Sequence, residues 1–492
     1  MSDELKETGQ ATIWHLPARS GKPGVFRRVV VAEKRKHTIE RVADMKRNTT
    51  HKTMTALLAT VLAAAGLSGC AGGKDAGGTG AGAASGDGKA EGKVTVQLWN
   101  HYTGDKAAVL DQMVSAFNAS QNEITVKALS NQDPQKQLTA ISGGSAPDLM
   151  FTFWNNIGPW SEAGAVLNLD DFVKQANFDT KKIIPAALER MKVDGKVYGF
   201  PISMSMASRL YYNKKMFQDA GISKPPETLE EMFEVSKKLT KKDGKNGYEQ
   251  VGFIPDYPWI DNVFWPIIFG GSWDDGKGKL TAAQKANVDA IAYQTEYYKE
   301  FGSEGISKFK SGMGKADTPQ DPLVTGKLGM MIGWENMYND KRGEGGAIGV
   351  APFPYPKDRP ELKNAGMVSP IAMFIPAKAK NKEAAWKVMQ YFLSEDVQIE
   401  YATKAKTIPV LLSALDNPKL TKNEATKSLW EFYESAKSAN LNGFPNSVYI
   451  NEYLQALNEE TEKALKGQIV PQQAMDNVVA KIQPKADKAN KK

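Results

Sequence analysis

The sequence predicts an α/β fold of two lobes, each an open sheet flanked by helices, followed by a wholly helical C-terminal part. Strand-like and helix-like segments alternate from about residue 94 to residue 376. From Cys70 onward the chain has 423 residues, more than one ordinary hydrophobic core holds. From residue 382 the apolar pattern is almost entirely helical. These three observations favour two lobes over a single sheet domain.

The first elements alternate as a parallel sheet requires. The segments "VTVQLW" (94–99) and "EITVKAL" (123–129) are predicted as strands, and "APDLMFTFW" (146–154) as an apolar strand buried on both faces. Helices are predicted between them, over 105–119 and 134–141, from apolar residues at 3.6-residue spacing.

The later elements continue the alternation and then end in helices. Asp194-Gly195 predicts a tight hairpin between "MKV" and "KVYGF". The next segments are predicted as strand 209–213, helices 214–220 and 227–241, strand 250–254, a helix near 282–301, strand 328–333, and the strand-like "IGVAPFP" and "GMVSPIAMFIP". The C-terminal helices are predicted near 382–404, 423–438, 450–466 and 471–484.

The only cysteine of the chain, Cys70, follows the pattern of a secretion signal. Basic residues at 46, 47 and 52 precede an uncharged apolar run from Thr53 to Gly69, too short and too rich in Ala and Gly to cross a bilayer. The arrangement Leu67-Ser68-Gly69-Cys70 resembles the bacterial lipobox, in which the cysteine is acylated, for example with palmitate. A buried free cysteine is the alternative, but a core residue would not sit between an apolar signal and a glycine-rich tract.

The N-terminal region divides into three parts. Residues 45–69 are predicted as the lipoprotein signal peptide, and residues 70–92 as a flexible Gly/Ala linker. Residues 1–44 lack sustained periodicity and are interpreted as a misannotated upstream extension; an unusually long basic region of the signal is the alternative. Residues 1–69 carry 12 Lys+Arg and 6 Asp+Glu, so only +1 of the formal +7 remains for the rest, and nucleic acid is not an expected partner.

Four segments in order resemble one protein family. They are "GGSAPDLMFTFWNNIGPWSEAGAVLNLDDF" (143–172), "VDGKVYGFPISMSMASRLYYNKKMFQDAGISKPPETLEEMFEVSKKL" (193–239), "TGKLGMMIGWEN" (325–336) and "KNKEAAWKVMQYFLSEDVQ" (380–398). With them the chain resembles the extracellular solute-binding proteins of the maltose-binding-like group, the substrate-binding lipoproteins of ABC sugar importers. The resemblance covers about residues 94–476 and implies a type II periplasmic-binding-protein-like fold.

The double crossover of that family implies where the two lobes lie. Lobe 1 would hold residues 93–203 plus 373–406, and lobe 2 residues 204–372 plus 407–485. The hinges of a closing motion would then fall near 203–206, 371–374 and 407–409.

Tryptophans beside polar residues are the candidate sugar contacts, because a sugar offers apolar C–H faces to rings and hydroxyl edges to polar groups. Trp99 and His101 end the first strand, where open α/β sheets bind ligands. The resemblance places Trp154, Trp259 and Trp334 at strand ends facing the cleft. By the same correspondence the further candidates are Asn155, Ser203, Ser205, Asp261, Glu335 and Tyr449.

Motifs of catalysis and metal binding are mostly missing from the sequence. There is no G-x-S-x-G, no phosphate-binding G-x-x-x-x-G-K-[ST] and no H-E-x-x-H, and His occurs only four times. "DGKNG" (243–247) and "DDGKGK" (274–279) lack the spaced ligands of a calcium loop and are interpreted as turns. No catalytic residue, cofactor or metal is therefore predicted.

Together these observations predict a substrate-binding protein that captures a mono- or oligosaccharide between its lobes and delivers it to ABC permease subunits. It is expected to be a monomer, anchored through Cys70 on the extracytoplasmic face of the cell membrane. One alternative is a lipid-anchored glycoside hydrolase with Asp261 and Glu335, or Asp274 and Asp275, as its carboxylate pair. A lectin-like adhesion module is a second alternative, but such modules are usually β-rich.

Overall fold

One eight-stranded sheet organises the described part of the chain. The computed structural model describes residues 93–490, except 246, 259–261, 317, 339–340 and 342–344. The order of the main path is β10-β6-β11-β3-β1-β2, with β9 paired to β6 and β12 paired to β11. The strands are β1 (Val94–Asn100), β2 (Ile124–Leu129), β3 (Leu149–Phe153), β4 (Lys192–Val193), β5 (Lys196–Val197), β6 (Phe200–Asn213), β7 (Lys241–Lys242), β8 (Tyr248–Gln250), β9 (Met330–Trp334), β10 (Ile348–Pro352), β11 (Gly366–Phe374) and β12 (Leu441–Asn442).

Helices cover the sheet and make up most of the C-terminal part. The α-helices are α1 (Gly104–Ser120), α2 (Pro134–Ser142), α3 (Ile157–Glu162), α4 (Asp170–Gln175), α5 (Pro185–Glu189), α6 (Lys214–Asp219), α7 (Leu229–Leu239), α8 (Phe264–Ile268), α9 (Lys285–Phe301), α10 (Ser303–Gly312), α11 (Lys382–Phe392), α12 (Glu395–Ala405), α13 (Leu412–Asp416), α14 (Pro418–Thr421), α15 (Trp430–Ser435), α16 (Ile450–Leu465) and α17 (Pro471–Ala489). Short 3-10 turns lie at Trp154–Asn156, Thr180–Lys182, Pro360–Leu362 and Glu424–Leu429.

The first lobe is built on the parallel strands β2, β1 and β3. Strand β1 pairs in parallel with both of the others. Leu149 and Phe151 of β3 enter the main core, whereas Met150 enters a second core with Trp160 and Phe374. The prediction of an apolar strand covered on both faces is therefore confirmed.

Two long strands, β6 and β11, belong to both lobes. Their antiparallel pairing runs from Phe200↔Met373 to Ala207↔Met367, with a change of register between Ile371 and Ala372. The second half of β6 pairs antiparallel with β9 and β10 in the second lobe. The fold class is confirmed as a two-lobed α/β fold, in which the two lobes share one continuous sheet.

The three predicted crossings between the lobes lie side by side. Ser203–Met206 is in β6 and Ile371–Phe374 is in β11, where the register changes. The third crossing joins them, because Met204 N donates to Ile408 O at 3.2 Å and Thr407 Oγ1 donates to Met204 O at 3.3 Å. A hinge motion at these positions remains a prediction.

Local sequence signals explain several element boundaries. Asp194 (φ 50°) and Gly195 (φ 74°) both take the left-handed conformation that a two-residue hairpin turn needs, and they join β4 to β5 as predicted. Thr228 and Glu231 form a capping box that begins α7 at Leu229, two residues after the predicted start.

Some predicted elements differ from the structure. The strand predicted over 250–254 is β8, which ends at Gln250, and Val251 makes only an isolated bridge to Leu328. The helix predicted over 382–404 is interrupted after Phe392 into α11 and α12. The C-terminal part is helical except for β12, which pairs with the start of β11.

The segments after residue 406 contact both lobes in turn. Ile184 N donates to Val410 O, and α13 and α14 pack on α12, which itself packs on α1 of the first lobe. Farther along, α15 lies against β6, and α16 and α17 pack on α9 of the second lobe. The lobe boundaries, including the one at residue 407, remain predictions. Across residues 93–490, apart from the undescribed positions, none of the helices has the length and apolarity to cross a bilayer.

We expect Asp148→Ala to destabilise the first lobe by about 2–3 kcal/mol, because each buried donor left unpaired costs about 1–3 kcal/mol. The Asp148 carboxylate accepts from Gln97 N at 2.9 Å and from Asn381 N at 3.0 Å, and so ties β1 to the start of α11. Urea unfolding measures the change. Asp358→Ala, in an exposed turn, is the control; equal midpoints for the two variants would contradict the role of Asp148.

Candidate functional site

A cleft lies where the carboxyl ends of β1 and β3 meet the end of β9 and the two shared strands. It holds a cavity of about 440 Å³, within the roughly 300–1,000 Å³ of small-molecule sites. The walls come from both lobes and the floor comes from the crossings. The lining residues are His101, Tyr102, Thr103, Lys106, Phe153, Ser203, Ser205, Trp334, Asn336, Ser369, Ile371, Tyr401 and Thr407.

Aromatic side chains form the wall on the first lobe. The His101 ring lies 4.4 Å from the Phe153 ring and 4.8 Å from the Tyr102 ring, measured between centroids. Phe153 is 43% exposed and lines the cavity. Burial lowers the pKa of His101, the hydrogen bond with Phe151 O raises it, and the charge of Lys106 lowers it, with a net lowering.

Hydroxyl groups form the floor of the cavity. Ser203 and Ser205 lie two positions apart on β6 and therefore share a face, and they pair with Ile371 and Ser369 of β11. Tyr102, in the loop after β1, and Tyr401, in α12, also line this floor. Both side chains are nearly fully buried. Burial raises the pKa of Tyr102 to about 12. Its hydroxyl is fully buried beside the hydroxyls of Ser203 and Tyr401.

Strand β9 brings the wall of the second lobe to the cavity. Trp334 ends this strand, and its carbonyl accepts from the Tyr211 hydroxyl at 2.7 Å, which fixes the backbone that carries the indole. Glu335 follows, is only 2% exposed, and accepts from Met206 N at 2.9 Å. Burial raises the pKa of Glu335, while the bonds from Met206 and Ser205 and the charge of Lys106 lower it. Glu335 therefore fixes β9 to the crossing strand.

Lys106 is the charged residue among those that line the cavity in the described part of the chain. It is exposed in the first turn of α1, and its charge lowers the pKa of both His101 and Glu335, which are on opposite lobes. The Lys106 ammonium gives the cavity a charged hydrogen-bond donor, and no carboxylate of the described residues lines the cavity beside it.

Four of the predicted ligand contacts line the cavity: His101, Ser203, Ser205 and Trp334. Glu335 lies just behind the lining and is held by protein groups. Trp259, Asp261 and the predicted lipid attachment site Cys70 lie outside the described residues.

Trp99, Trp154, Asn155 and Tyr449 do not line the cavity. Trp99 alternates with the buried Leu98 and packs on the second core, so the geometry assigns it a packing role. Trp154 packs against both cores and begins the 3-10 turn that contains Asn155. Tyr449 is half-buried beside Tyr453, and burial raises its pKa to about 12.

Sequence reasoning missed nine lining residues: Tyr102, Thr103, Lys106, Phe153, Asn336, Ser369, Ile371, Tyr401 and Thr407. Tyr102, Thr103 and Lys106 follow directly after the first strand. They could therefore have been predicted, like His101, from the tendency of open α/β sheets to bind ligands at the carboxyl ends of their strands. Period-two spacing on β11 could likewise have found Ser369 with Ile371. Tyr401 lies inside α12, and nothing in its local sequence distinguishes it from a core residue.

The arrangement suits binding of a neutral polyhydroxylated molecule. Exposed ring faces, several hydroxyls, one amide and one ammonium can contact both the apolar faces and the hydroxyl edges of such a ligand. Glycosidic hydrolysis would need two carboxylates facing each other across the bond, and the lining formed by described residues contains none. Nor, among the described residues, do three His, Cys, Asp or Glu side chains cluster as a metal site would require.

Comparison with known proteins agrees with this geometry. Residues 112–428 match the family of bacterial extracellular solute-binding proteins. The maltotriose-binding protein of Pyrococcus abyssi is 25% identical over 66% of this chain and 68% of its own length. The sn-glycerol-3-phosphate-binding periplasmic protein of Agrobacterium fabrum is 24% identical over 78% of this chain and 90% of its own length. The solved structure of CpMnBP1 with mannotriose bound has a TM-score of 0.63 at 26% identity, covering 79% of this chain and 99% of that one.

We expect Glu335→Gln to change the pH dependence of stability. Because burial raises the pKa of Glu335, the folded protein holds this proton more tightly than the unfolded chain. The resulting stability is fully present below roughly pH 4.3, the pKa of an unfolded glutamate, and is lost as the pH rises through the folded value. The amide of the variant does not titrate, so the variant does not lose this contribution. The free energy of unfolding of the variant, relative to that of the parent, should therefore increase as the pH rises.

Urea unfolding across the acid and neutral range measures this difference. Glu304→Gln, exposed in the first turn of α10, is the control. A constant difference between Glu335→Gln and the parent at every pH would contradict the expectation.

Proposed function

Because the chain belongs to the bacterial extracellular solute-binding proteins, we propose that it is the lipid-anchored substrate-binding protein of an ABC importer. It captures a carbohydrate, a mono- or oligosaccharide, in the cleft between its lobes and delivers it to the permease. The family binds solutes and is not a family of enzymes, so the hydrolase alternative is set aside.

The cavity at the junction of the lobes is the observation that supports carbohydrate as the ligand. Phe153 and Trp334 present ring faces from opposite lobes, and a floor of serine and tyrosine hydroxyls lies between them. Rings stack on the C–H faces of a pyranose, and hydroxyls exchange hydrogen bonds with its edges. The hydroxyls of Ser203 and Ser205 line this floor and are the groups that a ligand hydroxyl would contact.

The names of the relatives suggest two classes of ligand, a sugar and a phosphate ester. The Pyrococcus abyssi relative is named for maltotriose and the Agrobacterium fabrum relative for sn-glycerol 3-phosphate. An anionic ligand would have Lys106 as its charged partner in the described lining, and a single exposed ammonium is a weak site for a phosphate dianion. Aromatic faces on both walls favour a sugar ring over a small flexible phosphate ester.

Anchoring and delivery are the finer parts of the proposal. The lipobox-like Leu67-Ser68-Gly69-Cys70 supports attachment of the protein to the membrane by a lipid. The two crossing strands and the third crossing at Thr407 support a closing motion of the lobes, after which the loaded form would dock on permease subunits.

Isothermal titration calorimetry of residues 70–492 against a carbohydrate panel tests the function. We expect stoichiometric binding of a neutral sugar, a smaller radius of gyration in the complex, and recovery of the sugar intact. Trp334→Ala should weaken binding by about 1.5–3 kcal/mol, the contribution of a large buried apolar side chain. Trp430→Ala, which removes a half-buried tryptophan outside the cavity, is the matched control.

Tighter binding of sn-glycerol 3-phosphate than of any sugar would overturn the ligand class. Steady release of hydrolysed sugar would overturn the function itself. Equal affinities for the parent and Trp334→Ala would show that the cavity is not the binding site.

Cys70→Ala should leave the protein unacylated, because the thiol is the only one in the chain. We expect the variant to move from the detergent phase to the aqueous phase in detergent-phase separation. Ser68→Ala, which keeps the thiol, is the matched control. Unchanged partition of Cys70→Ala would contradict the lipid anchor.

A further inference from the structure

A short segment of the C-terminal part connects the second lobe to the first at one end of the cleft. This segment, "GFPNSV" (443–448), is called the clasp. Before it, β12 pairs with the start of β11. After it, α16 packs on α9 of the second lobe. Both ends of the clasp are therefore fixed to the second lobe, whereas its middle lies against the first.

Asn446 makes the contact with the first lobe. Its side chain is 9% exposed and takes part in three hydrogen bonds to backbone groups. Gly158 N donates to Oδ1 at 3.0 Å, and Nδ2 donates to Trp154 O at 3.1 Å and to Arg190 O at 2.9 Å. One amide thus satisfies groups on two separate segments of the first lobe.

The backbones of the clasp and of α3 approach too closely for a side chain. A Cβ added at Gly158 would lie 2.3 Å from Ser447 O and 2.7 Å from Asn446 Oδ1. Next to this contact, Val448 packs on the second core of the first lobe with residues such as Trp160 and Met191. The clasp is therefore seated by close packing as well as by hydrogen bonds.

The clasp is hydrogen-bonded to the turn that follows one residue of the cavity lining. Phe153 lines the cavity, and Asn446 binds both ends of the turn that follows it, at Trp154 and Gly158. A ligand that extended past Phe153 in this direction would meet the clasp. We propose that Asn446 is a specificity-determining residue, which holds the second lobe on the first and limits the ligand to a short sugar, about one or two rings in a cavity of about 440 Å³. The length limit rests on the proposed function, but the clasp itself does not.

Arg190 lies beside the clasp, and part of its guanidinium is unsatisfied. Its side chain is 5% exposed, and within the described part of the chain its Nε and Nη1 have no hydrogen-bond partner. Unsatisfied buried polar atoms cost free energy that exposure to water would return. This cost offsets part of what the hydrogen bonds of Asn446 contribute to seating the clasp.

Two variants open the clasp from opposite sides. Asn446→Ala removes the three hydrogen bonds that the clasp makes, and Gly158→Ala adds to the first lobe a Cβ for which the clasp leaves no room. Asn440→Ala is the matched control, because Asn440 Nδ2 donates to Glu361 O and Lys363 O and so bonds only within the second lobe.

Small-angle X-ray scattering of the ligand-free proteins tests the clasp without any sugar. We expect a larger radius of gyration for Asn446→Ala and Gly158→Ala than for the parent, and no change for Asn440→Ala. Equal radii for the parent and both opening variants would overturn the clasp. If one of the two opening variants does not fold, the radius of gyration of the other is compared with that of the parent.

Affinities for a length series of unbranched gluco- and manno-oligosaccharides test the specificity. The parent should prefer the short members, and the ratio of long-ligand to short-ligand Kd should fall by about tenfold or more in the opening variants. Such a change corresponds to a loss of about 1.4 kcal/mol, within the contribution of three hydrogen bonds. An unchanged ratio, or equal affinity of the parent for all lengths, would overturn the length limit. If neither protein binds any sugar, the proposed function fails, and the scattering result still decides whether Asn446 holds the lobes together.

Discussion

The pairing of β6 with β11 is the constraint on which the rest of the molecule depends. Each strand runs through both lobes, and their ladder extends from Phe200↔Met373 to Ala207↔Met367, with one change of register between Ile371 and Ala372. The parallel strands of the first lobe join it on one side through β3, and the antiparallel strands of the second lobe join it through β9 and β10. The ladder therefore joins the two lobes, and its residues that line the cavity set the position of the cleft.

One result of this arrangement is that part of the floor of the cavity belongs to neither lobe. Ser203 and Ser205 of β6 and Ser369 of β11 stand on the shared ladder, and Thr407 stands on the crossing beside it. The walls, by contrast, are carried by single lobes: Phe153 by the first and Trp334 by the second. The hydroxyls on the ladder and the rings on the walls therefore come from different parts of the fold, although they line one cavity.

Much of the fold could be predicted because local patterns determine it. Alternating and continuous apolar runs predicted β1 to β3, and Asp194-Gly195 predicted its turn from backbone conformation alone. The site was predictable where it follows from strand geometry, as for His101 at a strand end and Ser203 and Ser205 at period two. Trp99 and Tyr401 could not be placed from local sequence. The side of the sheet that the Trp99 ring faces depends on tertiary packing. So does the position of Tyr401, whose helix is distant in sequence from the strand that carries Ser203. Residues 259–261 were predicted to contribute two contacts, and they lie outside the described residues.

The shared ladder also governs the order in which the chain can acquire structure. Phe200 pairs with Met373, 173 positions later, and the β1 and β3 end of the first lobe is tied to Asn381 through Asp148 and Thr95. The first lobe therefore cannot complete its core until the second lobe has been synthesised, because a strand and a helix essential to it are encoded after most of that lobe. Contacts of such long sequence separation form slowly. The N-terminal half of the chain thus remains incompletely folded until β11 and the start of α11 have been synthesised.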